Sequence, residues 1–221
     1  MSYLPFSRHC ACYLAAKAGL RPEQQDILAY VIELIALNTA NILFALLLGF
    51  SLGVFRGTVV CLITIAIFRQ VAGGAHSNSV WRCALVSIII FPLLAFFAAF
   101  LSLHNTPFYN NVISFLALSA GFLSVILKAP VDSPNAPIIS PLRRKKLKIL
   151  SVLAAVIFAA IVLYLHLSSW VRAAEIQLCV SLSILWVSFI LSKPGHIFFS
   201  CVDSIKIFKK DLCEKTMPGE K

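Results

Sequence analysis

A histidine and a cysteine lie seven residues apart in a polar stretch, residues 69–83, that separates two strongly apolar runs. A thiolate rather than a thiol attacks a carbonyl carbon, so an imidazole that accepts the thiol proton activates cysteine as a nucleophile. The pair of His76 and Cys83 therefore predicts nucleophilic catalysis, with Arg69 or Arg82 available to stabilise a thiolate. A chance pairing is the alternative, because the spacing alone has little specificity.

The spacing also predicts the local structure. On a straight helix, His76 and Cys83 would share a face but their α-carbons would lie about 10 Å apart. Proton transfer needs an approach of about 3 Å, so a straight helix is disfavoured unless the pair closes on substrate binding. Gly73 and Gly74 allow a turn before His76, and residues 77–79 are turn-forming types. We expect a bent segment, with Cys83 at or near the amino terminus of the next helix.

The composition is that of an integral membrane protein. Of the 221 residues, 60% are hydrophobic and 13% are charged, whereas about 25% are charged in soluble domains. A spanning helix needs about 20 apolar residues. The sequence predicts an all-α membrane protein with six such spans, at approximately 27–50, 54–68, 84–103, 108–127, 150–170 and 173–191.

The distribution of cations predicts the orientation. With six spans, all of the 19 Lys and Arg except Arg56 and Arg172 fall on one side of the membrane. Cytoplasmic loops carry the excess of Lys and Arg. We therefore expect both termini, the 69–83 stretch and the basic run at 143–148 to be cytoplasmic.

The second predicted span is short. Residues 54–68 would rise only about 22 Å as a helix, less than the thickness of the hydrocarbon core. Either the helix continues through Arg69 toward Gly73, or the bilayer is thinner there. Both interpretations place Gly73 to Cys83 at or inside the inner interface, where a reactive site would be partly shielded from water.

Polar residues in the first span and in a later loop are candidates for substrate contact or for orienting His76. An ionised carboxylate within a span costs up to about 3 kcal/mol, so Glu33 should face protein or a wet cavity. Asn38 lies on the same helix, and Asp132 lies in the proline-rich loop after the fourth span. Pairing of Glu33 with another helix is the structural alternative.

A run of five cations follows that loop: Arg143, Arg144, Lys145, Lys146 and Lys148. It is either an anchor that binds anionic lipid, at about 1 kcal/mol per charge, or a dock for an acidic peptide tail.

We expect a single membrane domain over residues 1–221. Residues 1–25 are predicted to include an amphipathic interfacial helix, 26–192 the transmembrane bundle, and 193–221 a cytoplasmic tail that is amphipathic in part. Neither a phosphate loop nor a dinucleotide fingerprint is visible, and we predict no cofactor and no nucleic-acid partner. A metal is not expected, because three close ligands leave a tetrahedral site incomplete: His9, Cys10 and Cys12.

Several of these features together resemble a known family. The residues that carry the resemblance are Arg69, Gly74-Ala75-His76, Trp81, Cys83, the loop Ala129-Pro130-Val131-Asp132-Ser133-Pro134-Asn135, the basic run 143–148, and Glu33-Leu34-Ile35-Ala36-Leu37-Asn38. Over residues 1 to about 195, the chain resembles AgrB, the accessory gene regulator B proteins of Gram-positive quorum sensing. The resemblance implies a membrane cysteine endopeptidase that trims an AgrD-like propeptide and promotes its cyclisation to a thiolactone or lactone.

The resemblance also implies roles for single residues. It makes Cys83 the nucleophile that forms a peptidyl thioester and His76 the general base, with Arg69 and Gly74 as supporting residues. It further implies a homodimer in the plasma membrane of a bacterium, with the active site at the cytoplasmic face.

Two rival functions remain open at this point. A small transporter or channel would use the polar residues of the first span as a path and the basic loop to attract an anionic peptide. A non-catalytic membrane scaffold would recruit partners through its tails. Both rivals predict that Cys83 is dispensable.

Overall fold

The computed structural model describes residues 5–19, 21–75, 80–131 and 140–204. These residues form α-helices, and no β-strand occurs among them. The helices are α1 (Pro5–Ala18), α2 (Pro22–Ser51), α3 (Phe55–Ala72), α4 (Val80–His104), α5 (Pro107–Lys128), α6 (Pro141–Leu167), α7 (Ala173–Ile190) and α8 (Lys193–Ser204).

Six of these helices, α2 to α7, are long and apolar enough to cross a membrane. The predicted all-α fold and the predicted number of spans are therefore confirmed for the described part of the chain. Helices α1 and α8 precede and follow these six helices in the chain, at the positions where amphipathic helices were predicted. The predicted tail beyond Ser204 lies outside the described residues.

Proline determines where three of the spanning helices begin. Pro22, Pro107 and Pro141 each occupy the first turn of a helix, in α2, α5 and α6. The amide hydrogens of that turn have no partner within the helix, so the amide that proline lacks costs nothing there. The same ring geometry disfavours a helical conformation at the residue before each proline, which favours the start of a new helix there.

The second spanning helix is longer than the apolar run predicted from the sequence, because it includes the polar residues that follow this run. Helix α3 continues past Phe68 and Arg69 to Ala72. Its 18 residues rise about 27 Å, close to the thickness of the hydrocarbon core. The first of the two sequence interpretations, a helix that continues toward Gly73, is confirmed.

Helix α7 is the centre of the bundle. Of its apolar window 56% is buried, compared with 11% in α2, which lies at the periphery. α7 contacts α3, α4, α5, α6 and α8. Between lipid-facing helices, attraction comes mainly from close packing, which small residues permit. At Gly57 of α3, a Cβ atom would lie 3.0 Å from both the Ala95 Cβ of α4 and the Cys179 Sγ of α7.

Replacing Gly57 with leucine should destabilise the bundle. The added side chain would separate α3 from α4 and α7, and overpacking of this kind costs about 1–3 kcal/mol. Ala66→Leu is the matched control, because Ala66 is exposed on the same helix. We expect Gly57→Leu to lower the unfolding temperature of the purified protein in detergent and Ala66→Leu to leave it unchanged. Equal unfolding temperatures for the two variants would contradict close packing of α3 against α4 and α7 at Gly57.

Candidate active site

A guanidinium group contacts the candidate nucleophile. Arg69, near the end of α3, directs its Nη2 atom at the Sγ atom of Cys83 at a distance of 3.5 Å. Both side chains are partly buried. A guanidinium donates hydrogen bonds and carries a fixed positive charge. The geometry thus places a positive charge beside the Cys83 sulfur.

Cys83 also lies close to the amino terminus of its helix. Cys83 is the fourth residue of α4, which begins at Val80, so the prediction of Cys83 near the start of the third span is confirmed. The amino terminus of a helix carries a partial positive charge that stabilises nearby anions. The backbone carbonyl of Cys83 is held by the Ser87 hydroxyl, which donates a hydrogen bond to it at 2.9 Å.

Two glycines turn the chain between α3 and the site. Gly73 has a φ of 74° and Gly74 a φ of 132°, both values that residues with a Cβ rarely adopt. A Cβ on Gly73 would lie 2.5 Å from the carbonyl oxygen of Val131. The predicted turn before His76 is confirmed, and it depends on glycine for conformation and for space.

The turn is fixed on both sides by backbone hydrogen bonds. The amide of Val131 donates to the carbonyl of Ala72 at 3.0 Å, and Gly73 and Val131 form a parallel β-bridge. On the other side, the amide of Ala75 donates to the carbonyl of Ile190 at 2.9 Å. These bonds satisfy polar backbone groups where α3 has ended.

Two predicted site residues, His76 and Asp132, lie outside the described residues. Their neighbours in the chain are described. Ala75, which precedes His76, is 2% exposed. Val131, which precedes Asp132, is bridged to Gly73. The structure therefore brings together the two backbone segments that lead into these residues.

Arg69 and Arg82, the two predicted candidates for stabilising a Cys83 thiolate, have different partners. Arg69 contacts the thiol, whereas Arg82 forms an ion pair with Asp203 of α8 at 3.5 Å. The Arg82 guanidinium also donates a hydrogen bond to the Asp203 carbonyl oxygen. The first turn of α4, which carries Cys83, is thus joined to the tail helix.

The tail helix also contributes apolar contacts that the sequence analysis missed. Phe199 of α8 is buried in a small cluster with Ala75 and Ile190. Trp186 and Phe198 extend this cluster with ring centroids 6.1 Å apart. The available sequence signal was the amphipathic pattern of α8, but this pattern does not distinguish a helix that packs on protein from one that lies on lipid.

The candidate polar residues of α2 lie in different environments. Glu33 is 4% exposed and has an interaction partner, as expected for a carboxylate within a span. Asn38 is exposed on the outer surface of α2. Glu33 and Asn38 therefore do not line one common surface.

The predicted basic run forms an exposed patch. Its members occupy the first two turns of α6 and are all exposed: Arg143, Arg144, Lys145, Lys146 and Lys148. The first turn contains no acidic residue, and the helix amino terminus adds its own positive charge. This patch is suited to binding anions.

Among residues 5–19, 21–75, 80–131 and 140–204, no three His, Cys, Asp or Glu side chains are grouped to hold a metal ion.

Breaking the pair between Arg82 and Asp203 should loosen the tail helix. A partly exposed ion pair is worth up to about 1 kcal/mol, which corresponds to about a fivefold change in an opening equilibrium. We expect Asp203→Arg to speed limited proteolysis of α8, and the double variant Arg82→Asp/Asp203→Arg to restore the slower rate. Lys193→Glu is the control, because Lys193 is exposed at the start of α8. A double variant cleaved as fast as the single variant would contradict the pairing.

Comparisons with known proteins identify the family. The family model for AgrB, accessory gene regulator B, matches residues 7–191. A protein of Clostridium perfringens strain 13 that is named as AgrB-like is 29% identical over 192 residues, which cover 82% of this chain and 87% of that protein. An AgrB-like protein of Listeria innocua is 28% identical over 164 residues, covering 72% and 76% of the two chains. No solved structure matches the chain. Because the family model spans most of its length, the chain belongs to the accessory gene regulator B family.

Proposed function

We propose that this protein is a membrane-embedded cysteine endopeptidase that cleaves an AgrD-like propeptide and promotes its cyclisation. Family membership supports a role in accessory gene regulation. The observation that carries the finer proposal is the contact between the Arg69 guanidinium and the Cys83 sulfur in the first turn of α4.

In the first step, the sulfur of Cys83 attacks the carbonyl carbon of the scissile peptide bond. His76 accepts the thiol proton and then gives a proton to the leaving amine as the carbon–nitrogen bond breaks. The amino-terminal part of the propeptide is then held as a thioester on Cys83, and its carboxyl-terminal part is released.

In the second step, a thiol or hydroxyl of the bound peptide attacks the thioester carbonyl. The carbon–sulfur bond to Cys83 breaks, the proton lost by the attacking group returns to the Cys83 sulfur, and a thiolactone or lactone ring is formed. Water must be excluded during this exchange, because it would hydrolyse the thioester. The partly buried position of Cys83 at the start of a spanning helix supports this requirement.

The negative charge that develops on the carbonyl oxygen needs a donor. The backbone amides of the first turn of α4 and the Arg69 side chain are the candidates that lie near the sulfur. Arg69 therefore acts in this proposal on the nucleophile, on the oxyanion, or on both. Glu33 and Asp132 are proposed to orient His76, and Asn38 to contact the substrate.

We propose that the reaction takes place at the inner surface of the membrane. The positive-inside rule places the site at the cytoplasmic face of a bacterial plasma membrane. The exposed cations of α6 would attract an acidic segment of the propeptide or anionic lipid. The large apolar perimeter of the six spans is available for a homodimer.

Replacing either catalytic residue should abolish processing. We expect the wild-type protein in lipid vesicles to shorten a synthetic AgrD-like propeptide and to carry an adduct with the mass of a peptidyl thioester, as measured by intact mass spectrometry. Cys83→Ala lacks the nucleophile and His76→Ala lacks the base, so both should reduce turnover at least 1000-fold. Cys201→Ala, at an exposed cysteine of α8, is the control that should keep activity. Unchanged processing by Cys83→Ala would refute the proposal in favour of a transporter or a scaffold.

The contact with Arg69 should be measurable without a substrate. Because the guanidinium favours negative charge on the sulfur, Arg69→Gln should slow alkylation of Cys83 by iodoacetamide, by about three- to tenfold. Peptide mapping would compare Cys83 with Cys12, an exposed cysteine of α1, in the same sample. The rate at Cys12 should not change. An unaltered rate at Cys83 would show that Arg69 does not activate the thiol.

A further inference from the structure

Helix α8 follows the last spanning helix and carries three inward-facing residues at regular spacing. Gly195, Phe199 and Asp203 are four residues apart, so they lie along one face of α8, about 6 Å apart along its axis. Gly195 and Phe199 are buried and Asp203 is partly buried, whereas Ile197 on the opposite side is 63% exposed. The first face of α8 therefore packs on protein, and the opposite side is open to the surroundings.

The first of these three residues fixes the start of α8. A Cβ atom on Gly195 would overlap the carbonyl oxygen of Phe189, so glycine lets α8 begin directly against the backbone of α7. The ring of Phe198 strengthens this joint, because it packs edge-on against the rings of Trp186 and Phe189 with centroids 6.1 and 5.8 Å apart. Since α7 is the buried centre of the bundle, α8 is attached to a rigid base.

The other two residues reach the two chain segments that lead into the proposed catalytic residues. Phe199 is 4% exposed and lies in one buried cluster with Ala75, the residue before His76. Asp203, one turn further along α8, pairs with Arg82, the residue before Cys83. One face of α8 thus interacts with the chain neighbour of each proposed catalytic residue.

We infer that α8 is a clamp that sets the distance between the backbone at Ala75 and the first turn of α4, with Phe199 and Asp203 as positioning residues. This inference rests on the proposed peptidase function, which needs a base within hydrogen-bonding reach of the thiol. A displacement of about 1 Å at a reacting group can lower a rate about 100-fold, so contacts with the adjacent residues are sufficient to control catalysis. The match to the family ends at residue 191, before α8 begins. The clamp is therefore a feature of this chain that lies beyond the matched region.

The clamp predicts slower turnover without weaker substrate binding. With a synthetic AgrD-like propeptide and the full-length protein in lipid vesicles, Asp203→Asn and Phe199→Ala should each lower kcat about tenfold and leave KM within about twofold. Asp203→Glu keeps the carboxylate and should retain kcat within about twofold of the wild type. Ile197→Ala, on the outer side of α8, is the matched control that should leave both constants unchanged. A wild-type kcat in Asp203→Asn would overturn the inference, and a higher kcat would overturn it in favour of a lid that hinders the substrate.

A second measurement needs no substrate. The amide of Ala75 donates a hydrogen bond to the carbonyl of Ile190, and hydrogen exchange at this amide, followed by mass spectrometry of the purified protein, reports how often the bond opens. Asp203→Asn removes a contact with α4, yet it should speed exchange at Ala75 about fivefold, because one rigid helix joins the two segments. Ile197→Ala should leave the exchange rate unchanged. An unchanged rate in Asp203→Asn would show that the two contacts are independent and would overturn the clamp.

Together, the two measurements distinguish the clamp from the peptidase function. If the wild type leaves the peptide whole while Asp203→Asn speeds exchange at Ala75, the peptidase function is refuted and α8 still joins the two segments. If the wild type processes the peptide and Asp203→Asn equals it in kcat and in exchange rate, the peptidase function stands and the clamp is refuted. Asp203→Asn changes the charge of the side chain but not its size, so the test does not depend on whether Phe199→Ala folds.

Discussion

The absence of a side chain at Gly73 is the constraint on which the candidate site depends. At this point the chain leaves α3 and passes so close to the 129–131 segment that a Cβ would lie 2.5 Å from the Val131 carbonyl oxygen. The chain leaves a spanning helix here, and backbone polar groups need partners wherever water is scarce. The carbonyl of Ala72 accepts a hydrogen bond from the amide of Val131, and the amide of Ala75 donates one to the carbonyl of Ile190. These hydrogen bonds thus join the carboxyl ends of α3, α5 and α7, and Arg69 lies one helical turn before this junction.

Near these helix ends, Arg69 and Arg82 have different partners. Arg82 is one residue from Cys83 in sequence, yet its ion pair with Asp203 attaches α8 to the start of α4. Arg69 is fourteen residues away, but the turn of the chain directs its guanidinium at the sulfur. The tail helix also packs Phe199 against Ala75 and Ile190. Helix α8 thereby braces both the segment that leads to His76 and the turn that carries Cys83.

The sequence predicted features that depend on local patterns. The six spans, the extension of α3 past Arg69, the turn at Gly73 and the position of Cys83 near the start of α4 follow from hydrophobic length, glycine freedom and the energetics of membrane insertion. The contacts of Val131 with Gly73 and of Asp203 with Arg82 could not be predicted in this way. They join residues 58 and 121 positions apart, and their partners are determined by how the helices pack. For the same reason, the sequence left open whether Arg69 or Arg82 contacts Cys83.

The end of α3 joins the apolar core of the bundle to the candidate site. Phe68 is 1% exposed and its ring stacks on Phe158 of α6, while the next residue, Arg69, contacts the Cys83 sulfur. Consecutive residues of a helix point about 100° apart, so one turn can face both the apolar core and the polar site. Packing of Phe68 in the core therefore helps to fix the position from which Arg69 reaches the sulfur.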